Sequence, residues 1–114
     1  MPEFANPFAG NTSKKLTEQE LIRSIRFMIA AEYEAIQLYM QLSESTDNKL
    51  AKEVLVDIAN EERVHAGEFL RLLKQLAPEE VEYYKQGAIF FNFFQKFIDN
   101  NKMTIKYIKK QKTI

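Results

Sequence analysis

This chain of 114 residues contains no cysteine, no tryptophan and one histidine. Without cysteine there can be no disulfide frame and no thiolate metal site, so any metal must be held by carboxylate or imidazole. That composition suits a reducing cytoplasm. No stretch reaches the roughly 18–20 apolar residues of a membrane span, so no membrane partner is expected. The first residues, "MPEFANPFAGNTSKK", lack an unbroken apolar run and do not read as a secretory signal. There is no internal repeat and no glycine-rich phosphate loop.

What is present fits one globular domain. Apolar residues make up 46% of the chain, and 16 basic side chains balance 16 acidic ones. The balance hides an asymmetry. Residues 1–87 hold 15 acids and 10 bases, whereas residues 88–114 hold one acid, Asp99, and six lysines. The acidic part argues against nucleic acid as a partner.

Residues 2–16, with two prolines and a glycine, are expected to form an irregular arm. Thr17 and Glu20 then have the spacing of a capping box, and nothing breaks a helix from there to about Ser43. The turn-forming stretch "SESTDNK" follows. A second helix is predicted from about Asn48 to Leu76, ended by Pro78. "PEEVEYYKQG" predicts a short third helix that stops near Gly87. Two long helices joined by so few residues should fold back as an antiparallel hairpin.

A 4-3 apolar spacing marks one seam on each helix. On the first it runs Leu21, Ile25, Met28, Glu32, Ala35, Tyr39, Leu42. On the second it runs Ala51, Leu55, Ile58, Glu62, His65, Phe69, Leu72, Leu76. Three of these positions, Glu32, Glu62 and His65, hold ionisable groups where Leu or Ile would serve packing. An unpaired carboxylate in such a place costs several kcal/mol, and neither seam carries a Lys or Arg to neutralise it. Height along the hairpin agrees: Glu32 lies 15 residues before Asp47 and Glu62 lies 15 after it. At about 1.5 Å per residue both sit about 22 Å from the turn. His65 follows one turn beyond Glu62 on the same face.

A lone Glu-x-x-His on a helix is common, and a lone seam histidine usually just hydrogen-bonds a neighbouring Glu. The third carboxylate at matching height is what turns the reading toward metal. Glu44, Glu53, Glu61 and Glu68 read as solvated. Glu34 lies off the seam, as an outer relay carboxylate at most. Tyr33 and Tyr39 read first as packing aromatics, with Tyr39 within reach of the carboxylates as a donor.

Di-iron carboxylate bundles take a Glu from each of two helices and a Glu-x-x-His from each of the other two. One hairpin supplies half of that set, so a two-fold partner of the same sequence is expected to supply the rest. A lone two-helix hairpin also has no enclosed core. The expected fold class is therefore all-α: an antiparallel hairpin plus a short C-terminal helix, dimerising into a ferritin-like four-helix bundle. Oxygen-rich N/O ligation with open positions suits Fe(II) and O₂ better than structural zinc.

"IAAEYEAIQLYMQL" followed by "DIANEERVHAGEFLRLL" resembles the encapsulated ferritins, the ferritin-like cargo of encapsulin shells, over about residues 17–86. The resemblance rests on Glu32, Glu34, Ala35 and Tyr39 at one family spacing and Glu61, Glu62 and His65 at the other. It implies a ferroxidase that oxidises Fe(II) at a di-iron centre on a dimer interface. It further implies ring-shaped decamers, and a surrounding encapsulin shell in the cytoplasm that holds the iron mineral. By resemblance Glu32, Glu62 and His65 are catalytic iron ligands, Glu34 belongs to an iron-uptake site, and Tyr39 supports the ligands from behind. Ala31 stands where some relatives have a carboxylate and Leu38 where some have Trp, which weakens the uptake site. Other di-metal chemistry on the same bundle (peroxide reduction or hydroxylation) and a metal-free helical adaptor are the competing readings.

One domain with two flanking segments follows: an irregular arm at 1–16, the ferritin-like hairpin domain at 17–87 and a basic, aromatic-rich tail at 88–114. In the tail Phe, Ile, Asn, Lys, Met and Tyr make up 21 of 27 residues. Three readings stay open for it. It could be a basic amphipathic helix with Phe90, Phe94, Phe97 and Ile98 on one face, a divergent shell-docking segment, or an out-of-frame stretch of an AT-rich gene.

Overall fold

The computed structural model describes residues 14–112. Three helices follow one another, α1 at Glu18–Glu44, α2 at Lys49–Leu76 and α3 at Pro78–Lys112. Most of the arm expected at 1–16 lies outside the described residues.

The start of α1 is the capping box that the sequence spells. Glu20 N–H donates to Thr17 Oγ1 at 3.2 Å, and Thr17 N–H donates back to Glu20 Oε1 at 2.9 Å. Two helix-end donors that have no partner within the helix are thereby satisfied. The Thr17 N–H held against it, with help from the Thr17 hydroxyl, keeps the Glu20 carboxyl below its usual range. A depressed carboxyl strengthens the folded state above its ordinary pKa and loses that contribution as pH falls through its lowered one. Thr17→Ala removes the oxygen that caps Glu20 N–H and is expected to cost roughly 1 kcal/mol. The measurement is thermal unfolding at neutral pH, where the variant should melt lower; the gap should narrow in acid as Glu20 protonates in both proteins.

Between α1 and α2 the chain reverses in four residues. Ser45 N–H closes on Leu42 O at 3.1 Å, and Asn48 caps α2 by accepting from Ala51 N–H at 3.0 Å. The two helices are antiparallel, because Ile22, Ile25 and Ile29 near the start of α1 pack with Leu73 and Ala77 at the end of α2. Phe69 and Leu76 pack against that cluster. Each large aliphatic chain so buried contributes about 1.5–3 kcal/mol. The core stays thin even so: no large side chain among the described residues is fully enclosed.

The seam read from the sequence splits into two lines here. Ile25, Glu32 and Tyr39, seven residues apart, are buried or half-buried, as are Leu55, Glu62, Phe69 and Leu76. The other line is mixed: Met28, Ala35, Ala51 and Ile58 are half-buried, whereas its remaining members are exposed. Leu21, Leu42 and Leu72 are 37%, 45% and 40% exposed. A further line that the 4-3 spacing left out, Ile22, Ile29 and Ser43 on α1 with Ala59, Ala66 and Leu73 on α2, is buried instead. The reason is geometric. A helix in a four-helix bundle has an apolar arc wider than two lines, and one hairpin covers only the part turned toward its own second helix.

Ala77 closes α2 with its N–H on Leu73 O at 2.8 Å, and Pro78 opens α3. Proline suits that first position, since its missing N–H would have had no helical partner. The expected short helix is corrected here: α3 does not stop near Gly87 but runs 35 residues to Lys112. Gly87 keeps a helical backbone, and a Cβ at that position would meet nothing within 4 Å. Glycine weakens a helix without necessarily ending it, and the apolar periodicity continues on both sides. The chain divides into two units between Pro78 and Glu79.

Candidate metal centre

Glu32 comes from α1, whereas Glu62 and His65 come from α2, one turn apart. The fold brings all three together: one ligand atom from each lies within 4.8 Å of the other two. That is close to the span of opposed ligands around a small cation, about 4–4.4 Å at roughly 2.0–2.2 Å per bond. His65 Nδ1 stands 3.5 Å from Glu62 Oε2 and 4.0 Å from Glu32 Oε2. Those distances are ion-pair contacts, longer than a good hydrogen bond.

The electrostatics are lopsided. The Glu32 and Glu62 side chains are only 18% and 20% exposed. Glu32 Oε2 is buried and accepts no hydrogen bond. Among the described residues, His65 is a basic side chain in ion-pair range of both carboxylates. An unsatisfied buried carboxylate oxygen costs at least 1–3 kcal/mol, and more when ionised. A cation placed among the three donors would remove that cost, so the donor set and the orphaned oxygen both fit a metal.

The remaining candidate residues fall elsewhere. Glu34 is exposed and does not join the group, and no other Asp, Glu or His among the described residues does. Tyr39 is half-buried on the inward line, two turns past Glu32. Glu44, Glu53, Glu61 and Glu68 are exposed, as their positions off the seam predicted. His65 is the informative exception to burial. Its side chain is 49% exposed, beside the exposed Val64 and on one face with the exposed Leu72. The centre therefore opens onto the same apolar flank that the hairpin leaves uncovered.

The rubrerythrin family profile matches residues 25–113, and the chain belongs to this family of ferritin-like proteins. Within it the encapsulated ferritins are its kin, as three similarities show. It is 43% identical over 88 residues to the encapsulin nanocompartment cargo protein EncC of Myxococcus xanthus, covering 77% of this chain and 67% of that one. It is 40% identical over 82 residues to a ferritin-like–encapsulin shell fusion protein of Pyrococcus furiosus. There the match covers 72% of this chain but spans only 24% of the fusion protein. The crystal structure of the encapsulated ferritin domain from Pyrococcus furiosus superposes with a TM-score of 0.67 at 40% identity, covering 72% of this chain and 84% of that one.

Proposed function

We propose that two copies of this chain share a di-iron centre that oxidises Fe(II) with O₂, for iron storage inside an encapsulin shell in the cytoplasm. The observation that carries the proposal is the convergence of Glu32, Glu62 and His65 around a buried, partnerless carboxylate oxygen. One such set is half of what a di-iron carboxylate bundle uses. The chain has a single histidine, so the other half must come from a second copy. The uncovered flank beside His65 supplies the surface on which that copy would sit. All of these donors lie within residues 17–87, which we take as the ferritin-like domain.

In this reading Fe(II) is the substrate. Two ferrous ions give one electron each to O₂, which takes up two protons and leaves as hydrogen peroxide, with two Fe(III) as the other product. The residues favour that direction. The Glu32 and Glu62 carboxylates, held in a partly dry site, stabilise the higher charge of the ferric product more than that of the ferrous substrate. His65 donates through a neutral imidazole nitrogen and adds no charge. The shell assignment is supported by the names of the two curated relatives, one a cargo protein and the other a shell fusion.

Anaerobic Fe(II) titration of the full chain should saturate at one iron per chain. A pulse of O₂ should then oxidise two irons per O₂ consumed and release peroxide. Oxidation by added peroxide alone, with O₂ left untouched, would move the assignment to peroxide reduction. Failure to bind iron at all would leave a helical adaptor.

A further inference from the structure

Helix α3 presents a separate problem of stability. It is 35 residues long, and none of its described residues is buried. Between 88 and 108 it is rich in Phe, Ile and Asn, which are poorer helix formers than Ala, Leu, Glu or Lys. A helix of that composition owes its persistence to a covered face rather than to intrinsic propensity. The candidate face is plain in the spacing. Tyr83, Gly87, Phe90, Phe94, Phe97, Asn101, Thr104 and Ile108 follow a 4-3 repeat, with Phe91, Ile98 and Ile105 on one shoulder. Of these, Tyr83, Phe90, Phe91, Phe94, Phe97, Ile105 and Ile108 are exposed.

We infer that this face is covered by the same helix of a second copy, running antiparallel. The repeat is self-complementary in that direction. Centred between Phe94 and Phe97, the register sets Phe94 against the partner's Phe97 and Phe90 against the partner's Asn101. Gly87 then meets the partner's Thr104, and Tyr83 meets the partner's Ile108. The shoulder matches too, since Phe91 falls beside the partner's Ile98 and Tyr84 beside the partner's Ile105.

Charge selects the direction. The first turns carry Glu79, Glu80 and Glu82, and the last turns carry Lys109, Lys110 and Lys112. Antiparallel pairing lays each acidic end along a basic end, whereas parallel pairing stacks like on like. Each helix's own dipole also favours acids first and bases last; that accounts for the signs but not for the apolar stripe. An anionic membrane is the rival occupant, given the lysines. Against it, Gly87, Asn101 and Thr104 interrupt the stripe, and the acidic first turns would be repelled. Small and polar seam residues fit a helix pair better, where an Asn fixes register.

The absence of cysteine gives a clean test on the full chain. Tyr83→Cys and Ile108→Cys chains, carrying different mass tags, are co-expressed and exposed to a short thiol cross-linker. The mixed species should cross-link, and each variant alone should not. Cross-linking of either variant with itself would mean a parallel pair and overturn the inference. No cross-link in any mixture, or retention on phosphatidylserine–phosphatidylcholine vesicles in its place, would overturn it as well. Circular dichroism confirms that both variants remain helical. Glu80→Lys should weaken the cross-link, and adding Lys109→Glu in the same chain should restore it. Repeating the experiment with His65→Ala chains separates this inference from the iron centre, because the α3 cross-link should survive loss of the metal.

Discussion

His65→Ala is expected to abolish Fe(II) oxidation while leaving the helical content of the protein unchanged. The side chain is about half exposed, so its removal takes little from the hairpin core. What it removes is the only imidazole in the chain. Disturbing even an outer partner of a metal ligand commonly costs 10–100-fold in affinity or activity. Deleting the ligand itself should therefore lower the oxidation rate by more than about 100-fold. Stopped-flow measurement of Fe(II) oxidation reads the loss, and circular dichroism reads the fold. A variant that oxidises iron at the wild-type rate would remove His65 from the centre.

The candidate centre was legible because three residues broke a rule. Glu32, Glu62 and His65 occupy positions where a packing helix wants Leu or Ile, and equal distance from Asp47 put the two carboxylates at one height. Both facts depend only on helical geometry, and the structure places the three groups together. The exact lining of the core was less legible. A 4-3 repeat cannot tell which of several adjacent lines faces the second helix of the hairpin and which faces another chain. Ile22, Ile29 and Leu73 consequently proved more buried than Leu21 and Leu72. His65 sits at the exposed edge of the group, while the two carboxylates are mostly covered.

The third helix failed to read for a different reason. Gly87 reads as a stop in the sequence because glycine is the commonest residue just past a helix end. That inference needs glycine in the left-handed region, and here the backbone stays helical. The family profile runs on to residue 113, so residues 88–113 fall within the family match. The aromatic stripe from Phe90 to Ile108 carries the helical period past the glycine. A glycine signals a helix end only where the apolar pattern ends with it.

The second large effect concerns metal and assembly together. On the proposed reading, closing two hairpins over one centre brings two Glu32 and two Glu62 carboxylates into a partly dry space. Glu32 Oε2 already has no hydrogen-bond partner among the described residues of the single chain, and without cations the four charges repel. Metal that binds only the closed pair stabilises it by about 2.7 kcal/mol at a free concentration 100 times its Kd. A chelator should therefore shift the full chain toward smaller species in sedimentation velocity, and Fe(II) should shift it back. Glu32→Gln keeps the shape of the side chain and removes the charge. In that variant the chelator-treated protein should stay assembled where the wild type falls apart, although its iron oxidation is lost. The two results point in opposite directions, which a merely destabilised protein would not produce: greater apo stability with no activity is the signature of charges kept for a ligand. If the mass distribution of the wild type is indifferent to both chelator and iron, the centre is not shared between copies. Glu32, Glu62 and His65 would then have to serve a metal held by one hairpin alone.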